Sequence, residues 1–307
     1  MNILVTGGAG FIGSHVVDAY IGEGHSVVVI DDLSTGSKSN LHPRAHFYQV
    51  DIRGGEVDRI FERHAIDVVN HHAAQMDVRR SVADPIFDAS VNVLGGLNIF
   101  EIARKRGVRK IIFASTGGAV YGEQEYFPAD EDHPVRPLSP YGITKLATEK
   151  FLFFYKQVYG LDYVVLRYAN IYGPRQNPHG EAGVVAIFAN KLLKGEQPII
   201  NGDGMQTRDY TYVGDVVQAN LLALRHSRSD IFNIGTGLET NVNEVFQRLR
   251  AHLNSACPER HSPPKEGEQR RSVISYVKVQ KEMGWAPSVL LQEGLRLTAE
   301  YFRKNFR

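Results

Sequence analysis

Tyr141 and Lys145 stand four residues apart in the stretch Ser139-Pro140-Tyr141-Gly142-Ile143-Thr144-Lys145. On a helix this spacing stacks a phenol and an ammonium on one face, with Cβ atoms about 5–6 Å apart. The ammonium favours the phenolate, so the tyrosine pKa is predicted to fall from about 10 towards neutrality. Such a pair can take the proton of an alcohol that is becoming a ketone. Ser139 suits the N-cap and Pro140 the first helical position, so the helix begins where the pair needs it. Upstream, Ser115 and Thr116 close the run Lys110-Ile111-Ile112-Phe113-Ala114, which reads as a buried strand. Open α/β sheets hold their ligands at such carboxyl ends. The next two residues, Gly117 and Gly118, offer no hydroxyl.

A second pattern supplies an oxidant for that chemistry. Thr6-Gly7-Gly8-Ala9-Gly10-Phe11-Ile12-Gly13 links a first strand to a first helix and fits G-x-G-x-x-G from Gly8 and G-x-x-G-x-x-G from Gly7. Glycines there let the backbone approach a pyrophosphate, and the helix N-terminus adds amide donors and a favourable dipole. Asp31 and Asp32 end the second strand about 20 residues on, where a carboxylate accepts hydrogen bonds from an adenosine ribose and repels a 2′-phosphate. NAD is therefore expected over NADP, with Tyr141 beside its nicotinamide. His71 and His72 are adjacent on a strand, point to opposite faces and cannot share one ion. No H-x-x-x-H or cysteine pair supports zinc, and no metal is expected.

The elements that must position these groups alternate along the chain. Strands are predicted at 3–5, 26–30, 46–48, 67–70, 110–114 and 163–167, with helices near 12–23, 55–64, 85–106 and 141–159. This alternation predicts an α/β fold with a doubly wound, Rossmann-like parallel sheet over residues 1–169. Residues 170–307 are predicted to form mainly a smaller mixed α/β substrate domain, with some segments returning to the first. It holds a helix near 183–194, a strand at 231–234, a helix at 242–253 and a surface loop at 258–272. Among the 307 residues, Lys plus Arg number 35 and Asp plus Glu 34, so the net charge of +1 leaves no general footprint for nucleic acid or anionic membrane. The single cysteine, Cys257, forms no internal disulfide and fits a reducing compartment. The opening MNILVTGG runs straight into a strand without a signal-peptide pattern, and no apolar run is expected to span a bilayer. A cytoplasmic globular protein is the expectation.

Segments along the whole chain carry a family resemblance. They are TGGAGFIGSH (6–15), DDLSTG (31–36), VDI (50–52), HHAAQ (71–75), VNVLGGLN (91–98), ASTGGAVYGE (114–123), SPYGITK (139–145), RYANIYGPRQ (167–176), RDYTYVGDV (208–216) and FNIGTG (232–237). With these the chain resembles the extended short-chain dehydrogenase/reductases and, within them, the UDP-glucose 4-epimerases. The resemblance implies pyrophosphate contacts from Gly7, Gly10, Phe11, Ile12 and Gly13. It implies ribose contacts from Asp31, with Asp32, Leu33, Thr35 and Gly36 in the same loop, and adenine contacts from Asp51 and Ile52. Ala73, Ala74, Gln75, Asn92 and Ser115 are implied along the cofactor, with Tyr168 packing near the nicotinamide. Tyr141 is implied as the base, and Lys145 as its partner and a ribose ligand. For the UDP-sugar, Asn170 and Arg208 match phosphate contacts, and Val185 and Glu268 fall where the family holds uridine. Two departures stand out: Lys265 replaces a phosphate-binding arginine, and Met76 replaces a lysine near the cofactor. Ser272 occupies a gate that is a bulky tyrosine in strictly glucose/galactose-specific members, so N-acetylated sugars are expected to fit.

The activity implied is epimerisation at C4 of a UDP-hexose through a transient 4-keto sugar. The alternatives are a 4,6-dehydratase or a UDP-glucuronate decarboxylase on the same scaffold. Related dehydratases place an Asp-Glu pair right after the strand-end threonine, where this chain has Gly117-Gly118. A non-catalytic NAD-binding regulator is a third reading, disfavoured because both Tyr141 and Lys145 are kept. Most epimerases carry a serine at the position of Gly117, so Thr116 is the candidate replacement hydroxyl, while Ser115 is expected on the opposite strand face against cofactor or backbone. A homodimer is expected through helices 85–106 and 141–159, the second carrying Phe151, Phe153 and Phe154.

Overall fold

The computed structural model describes residues 1–178, 183–264 and 269–306. In its first part the strands are β1 (Asn2–Thr6), β2 (Ser26–Asp31), β3 (His46–Gln49), β4 (Val68–His71), β5 (Lys110–Thr116) and β6 (Asp162–Tyr168). The helices between them are α1 (Phe11–Gly22), α2 (Glu56–His64), α3 (Val78–Ala83), α4 (Pro85–Ala89), α5 (Gly96–Lys105), α6 (Gly117–Val120) and α7 (Pro140–Tyr159). Later come β7 (Asn170–Tyr172), β8 (Ile200–Asn201), β9 (Thr207–Arg208), β10 (Tyr210–Tyr212), β11 (Asp230–Ile234), β12 (Thr240–Asn241), β13 (His261–Ser262) and β14 (Arg271–Ser272). The helices of this part are α8 (Val184–Lys194), α9 (Val213–Arg225), α10 (Val242–His252), α11 (Val277–Met283) and α12 (Leu291–Asn305).

β11, β6, β5, β4, β1, β2 and β3 lie side by side in that order, every pair parallel. Helices cover both faces of this sheet, and its inner strands carry apolar runs such as Ile3-Leu4-Val5, Val27-Val28-Val29-Ile30 and Val164-Val165-Leu166. Val16 and Tyr20 of α1 and Val216 and Ala219 of α9 cover one face, while Ile60 of α2, Phe100 of α5 and Leu152 of α7 cover the other. The strand order reverses between β1 and β4, and a crevice opens there at the carboxyl ends.

The expected helix 85–106 is one continuous element with a defect. Asp84 caps α4 by accepting from Phe87 N, Pro85 takes the first turn, and a wide π-helical turn at Ser90–Gly95 joins α4 to α5. Such turns recur at functional sites. Contrary to the sequence expectation, Pro85–Lys105 is by length and composition apolar enough to cross a membrane. It is a core helix here: Ile99 and Phe100 pack in the same cluster as Leu152 and Tyr155 of α7, and Asp88 and Asn92 are hydrogen-bonded inside the protein.

Beyond residue 169 the chain divides its loyalties. α9 packs on α1, β11 completes the parallel sheet beside β6, and Val279 of α11 and Trp285 join the core under it. Phe188, Phe246, Leu249 and Leu295 build a second core from α8, α10 and α12. The predicted surface loop 258–272 needs correcting at its end. β14 pairs parallel with β9, and Ser272, Val273 and Ile274 are buried, because the apolar pair Val273-Ile274 seals the space beside Ala129 and Gly117.

Candidate active site

At the β1 end, Gly10 caps α1 with no side-chain hydrogen bond, so the first amides of the helix, at Phe11 and Ile12, keep their donors for an anion. Gly7 has φ +69, and a Cβ on it would sit 2.6 Å from Ala73 N. A Cβ on Gly10 would sit 3.1 Å from Gly7 O, and one on Gly13 would strike that same carbonyl. This cradle, which side chains would fill, suits a pyrophosphate. Asp31 is fixed to it: Oδ2 accepts from Ala9 N (3.0 Å) and Oδ1 from Leu33 N (2.8 Å). Leu33 turns the chain at φ 63, and Gly36 is needed because a Cβ there would come 2.9 Å from Asp31 Oδ1. Burial pushes the Asp31 carboxyl up. Asp32 faces outward onto Ser34, whereas Thr35 shares the loop. Asp51 is gripped by Arg53 (Nε 3.0 Å), which holds its carboxyl low, and Ile52 is buried under Gly95. Ala73 and Ala74 follow β4, with Ala73 N donating to Thr6 Oγ1 (3.2 Å).

The catalytic helix starts as predicted, with Ser139 Oγ accepting from Gly142 N at 3.2 Å and Pro140 in the first turn. Gly142 lets α7 close on α6, since a Cβ there would meet Ala119 O at 2.8 Å. Lys145 Nζ donates to Ala114 O (2.8 Å) and lies 5.9 Å from the Tyr141 ring centroid. Among the described residues the phenol oxygen of Tyr141 has no hydrogen-bond partner. The predicted fall of its pKa is not the resting state. Burial pushes the phenol up, the Asp88 charge adds to that, and burial brings Lys145 down to about 8. Desolvation outweighs the ammonium.

Thr116 is half-buried at the end of β5, opposite Tyr168, and does not use its hydroxyl to cap α6. A Cβ on Gly118 would lie 3.8 Å from Thr116 Oγ1 and 3.7 Å from Asn170 Oδ1, so both groups flank the bare backbone of Gly118. Gly117 differs, for a Cβ there would run into Ile274 Cδ1 at 2.7 Å. The Ser115 hydroxyl donates to Glu149 Oε1 (2.5 Å). Asn92 is likewise occupied, accepting from Gln75 N (2.9 Å) and donating to Gln75 O (2.9 Å), so it fixes the backbone of Gln75 just beyond β4. Tyr168 OH accepts from Asn220 Nδ2 (2.9 Å) and meets His72 Nε2 (3.2 Å), while His71 Nδ1 meets Thr6 Oγ1 (2.6 Å).

On the other wall, Arg208 on β9 lies opposite Ser272 on β14 and Thr240 on β12. Asn170 is placed by its backbone, whose N donates to Asp209 O (2.9 Å). Asp209 itself is buried, and its carboxylate accepts from the Thr236, Gly237 and Ile274 amides, so one side chain gathers the loops of this wall. The Val185 side chain is buried in the second core. Lys265 and Glu268 lie outside the described residues.

Known proteins match this arrangement. The sequence profile of the NAD dependent epimerase/dehydratase family matches residues 3–235. The chain belongs to that family. It is 48% identical over 305 residues to a putative UDP-glucose 4-epimerase of Methanocaldococcus jannaschii, covering 99% of both chains. The Thermotoga maritima UDP-glucose 4-epimerase, solved with UDP-glucose, superposes with a TM-score of 0.98 at 51% identity, covering 100% of each chain. The Thermus thermophilus UDP-glucose 4-epimerase, solved with NAD, gives 0.95 at 48% identity, covering 99% of this chain and 100% of that one.

Two features of this family member escaped the sequence reading. Glu149, one helical turn beyond Lys145, forms a buried bidentate pair with Arg167 (Nε 3.0 Å, Nη2 2.6 Å), and Arg167 donates on to Tyr121 OH (3.0 Å). A carboxylate continuing the Tyr141–Lys145 spacing was a usable signal. The other is Asp88, a fully buried carboxylate in the apolar helix 85–105, whose partners are too far apart in sequence to suggest it.

Proposed function

We propose that this epimerase/dehydratase family member interconverts UDP-glucose and UDP-galactose by inverting C4 of the hexose, with NAD as its resident cofactor. NAD, when bound, supplies a reversible hydride acceptor and a positive charge, leaving the net reaction redox-neutral. Tyr141 takes the proton of the 4-hydroxyl and returns it to the opposite face after the 4-keto sugar has turned. Lys145 lends its ammonium to the phenolate, and Thr116 orients the 4-oxygen. Arg208 and Asn170 hold the diphosphate, for which a guanidinium fork is suited. The space beside Gly118 lets the sugar turn, and neither Gly117 nor Gly118 carries the acid or base that dehydration needs.

What supports this reading is that the glycine cradle lies beside β4, where the strand order reverses, and that Lys145, one turn from Tyr141 on α7, is bonded to Ala114 O, two residues before Thr116. Purified protein incubated with UDP-galactose and NAD is expected to yield UDP-glucose without added reductant. A 4-keto-6-deoxy product, or no turnover, overturns the proposal. In the same assay the small buried Ser272, next to Arg208, is expected to admit UDP-N-acetylgalactosamine. Ser272→Tyr is then expected to remove that activity and spare UDP-galactose, and equal loss of both sinks the gate.

The protein is further proposed to be a cytoplasmic homodimer. Leu94 on the π turn and Phe153, Phe154 and Val158 on α7 are exposed apolar side chains on the two helices expected to pair. Contiguous apolar surface of this kind marks an association site. Light scattering at micromolar concentration is expected to return twice the chain mass of 34.3 kDa, and a monomer mass counts against the pairing. A single cysteine and a nucleotide-sugar substrate suit a reducing compartment.

A further inference from the structure

Asp88 is wholly buried on α4, and among the described residues no cationic side chain bonds to it. Its carboxylate instead collects three hydrogen bonds from three parts of the site. Gln75 Nε2 donates to Oδ1 at 2.8 Å, Asn92 Nδ2 to Oδ1 at 3.1 Å and Thr144 Oγ1 to Oδ2 at 2.8 Å. Gln75 belongs to the loop that lines the cofactor crevice, Asn92 to the π turn, and Thr144 stands between Tyr141 and Lys145 on α7. Burying a carboxylate is costly unless hydrogen bonds replace its water, and packing alone does not call for a charge here.

We infer that Asp88 is a positioning residue for the proposed epimerisation: its buried carboxylate pins the catalytic helix to the cofactor-lining loop and holds a negative charge next to Tyr141 and Lys145. The inference rests on the epimerase reading for its substrate, though not for its electrostatics. A fixed negative charge makes the phenol harder to ionise and the ammonium harder to deprotonate, which are the directions in which Asp88 acts on the two groups. The resting pair is thereby kept as phenol and ammonium.

Other charges face this region from each neighbouring element. On α3 and its cap they are Asp77, Arg79 and Arg80, with Asp84 at the α4 cap and Arg53 stacked over Phe87, all at exposed or half-exposed positions where water screens them. On α7, Glu149 is paired with Arg167 yet, like Asp88, makes the Lys145 ammonium harder to deprotonate, whereas burial and Lys145 bring His71 and His72 down to about 3, leaving them uncharged. Asp88 is the carboxylate in this set that acts on both Tyr141 and Lys145, and among the described residues no cationic side chain is hydrogen-bonded to it.

The test compares two variants with the wild-type protein saturated with NAD. Asp88→Asn keeps the shape and removes the charge. It is expected to move the acid limb of the kcat profile down by about one pH unit, and the ultraviolet titration of the Tyr141 phenolate, read against Tyr141→Phe, down with it. Thr144→Val keeps the charge and cuts one anchor, so kcat is expected to fall several-fold at every pH with the limb in place. An unmoved limb and an unmoved phenolate titration in Asp88→Asn overturn the proposal. So does a Thr144→Val protein with wild-type kcat, a measurement that stands even if Asp88→Asn does not fold. The phenolate titration needs no turnover, so a wrong substrate and a wrong role for Asp88 give different results.

Discussion

Tyr141→Phe is expected to lower kcat for UDP-galactose by about 10²- to 10⁴-fold, the range for removing a positioned general acid–base group. Phenylalanine keeps the ring against Lys145 and removes only the oxygen, which bonds to no described residue in the resting protein, so the fold has no reason to suffer. Burial, with the Asp88 charge adding to it, holds the phenol above the ordinary tyrosine range. Binding of UDP-galactose, followed by calorimetry, is expected to survive the substitution. Retention of more than a tenth of wild-type kcat would show that another group moves the proton.

The second large effect is expected at Thr116. Thr116→Val keeps the branched shape and is expected to cost roughly ten- to a thousand-fold in kcat, the scale of a lost transition-state donor, with NAD still retained. Ser115 cannot substitute, because its hydroxyl is bound to Glu149 and the Glu149–Arg167 pair keeps it there. Nor can a hydroxyl simply be supplied at 117, where the side chain would drive into Ile274. Ser115→Ala is expected to be the milder change. If Ser115→Ala abolishes turnover and Thr116→Val leaves it intact, the working hydroxyl has been misassigned.

The sheet was legible because each strand is a run of apolar residues bounded by glycines or charges, as at Ile3–Val5 before Gly7. The helix carrying Tyr141 and Lys145 was legible from Ser139 and Pro140, and it begins at Pro140. What stayed hidden depended on distant partners. The π turn places Asn92 against Gln75 and Thr144, residues remote in sequence, and no local pattern separates it from ordinary helix. Helix α9 did carry a local signal, since Val216, Ala219 and Ala223 keep a helical period behind the RDYTYVGDV motif. The downward pull of Lys145 on Tyr141 was inferred from spacing alone. Spacing carries no information about desolvation, which needs the burial that only the folded chain provides.

Ile274 against Gly117 also bears on how this chain can change over evolutionary time. A relative with the acid–base pair for dehydration carries side chains where this one has two glycines. A Cβ at 118 would make only ordinary contacts, with Asn170 Oδ1 and Thr116 Oγ1, whereas one at 117 forces the Ile274 side chain to give way. Shortening Ile274 first leaves a hole beside Ala129 and Val120 in the small cluster they share, a loss of stability with nothing gained. Positions 117 and 274 are therefore coupled: a side chain at 117, next to Thr116, is accommodated only as the Ile274 side chain shifts or shortens.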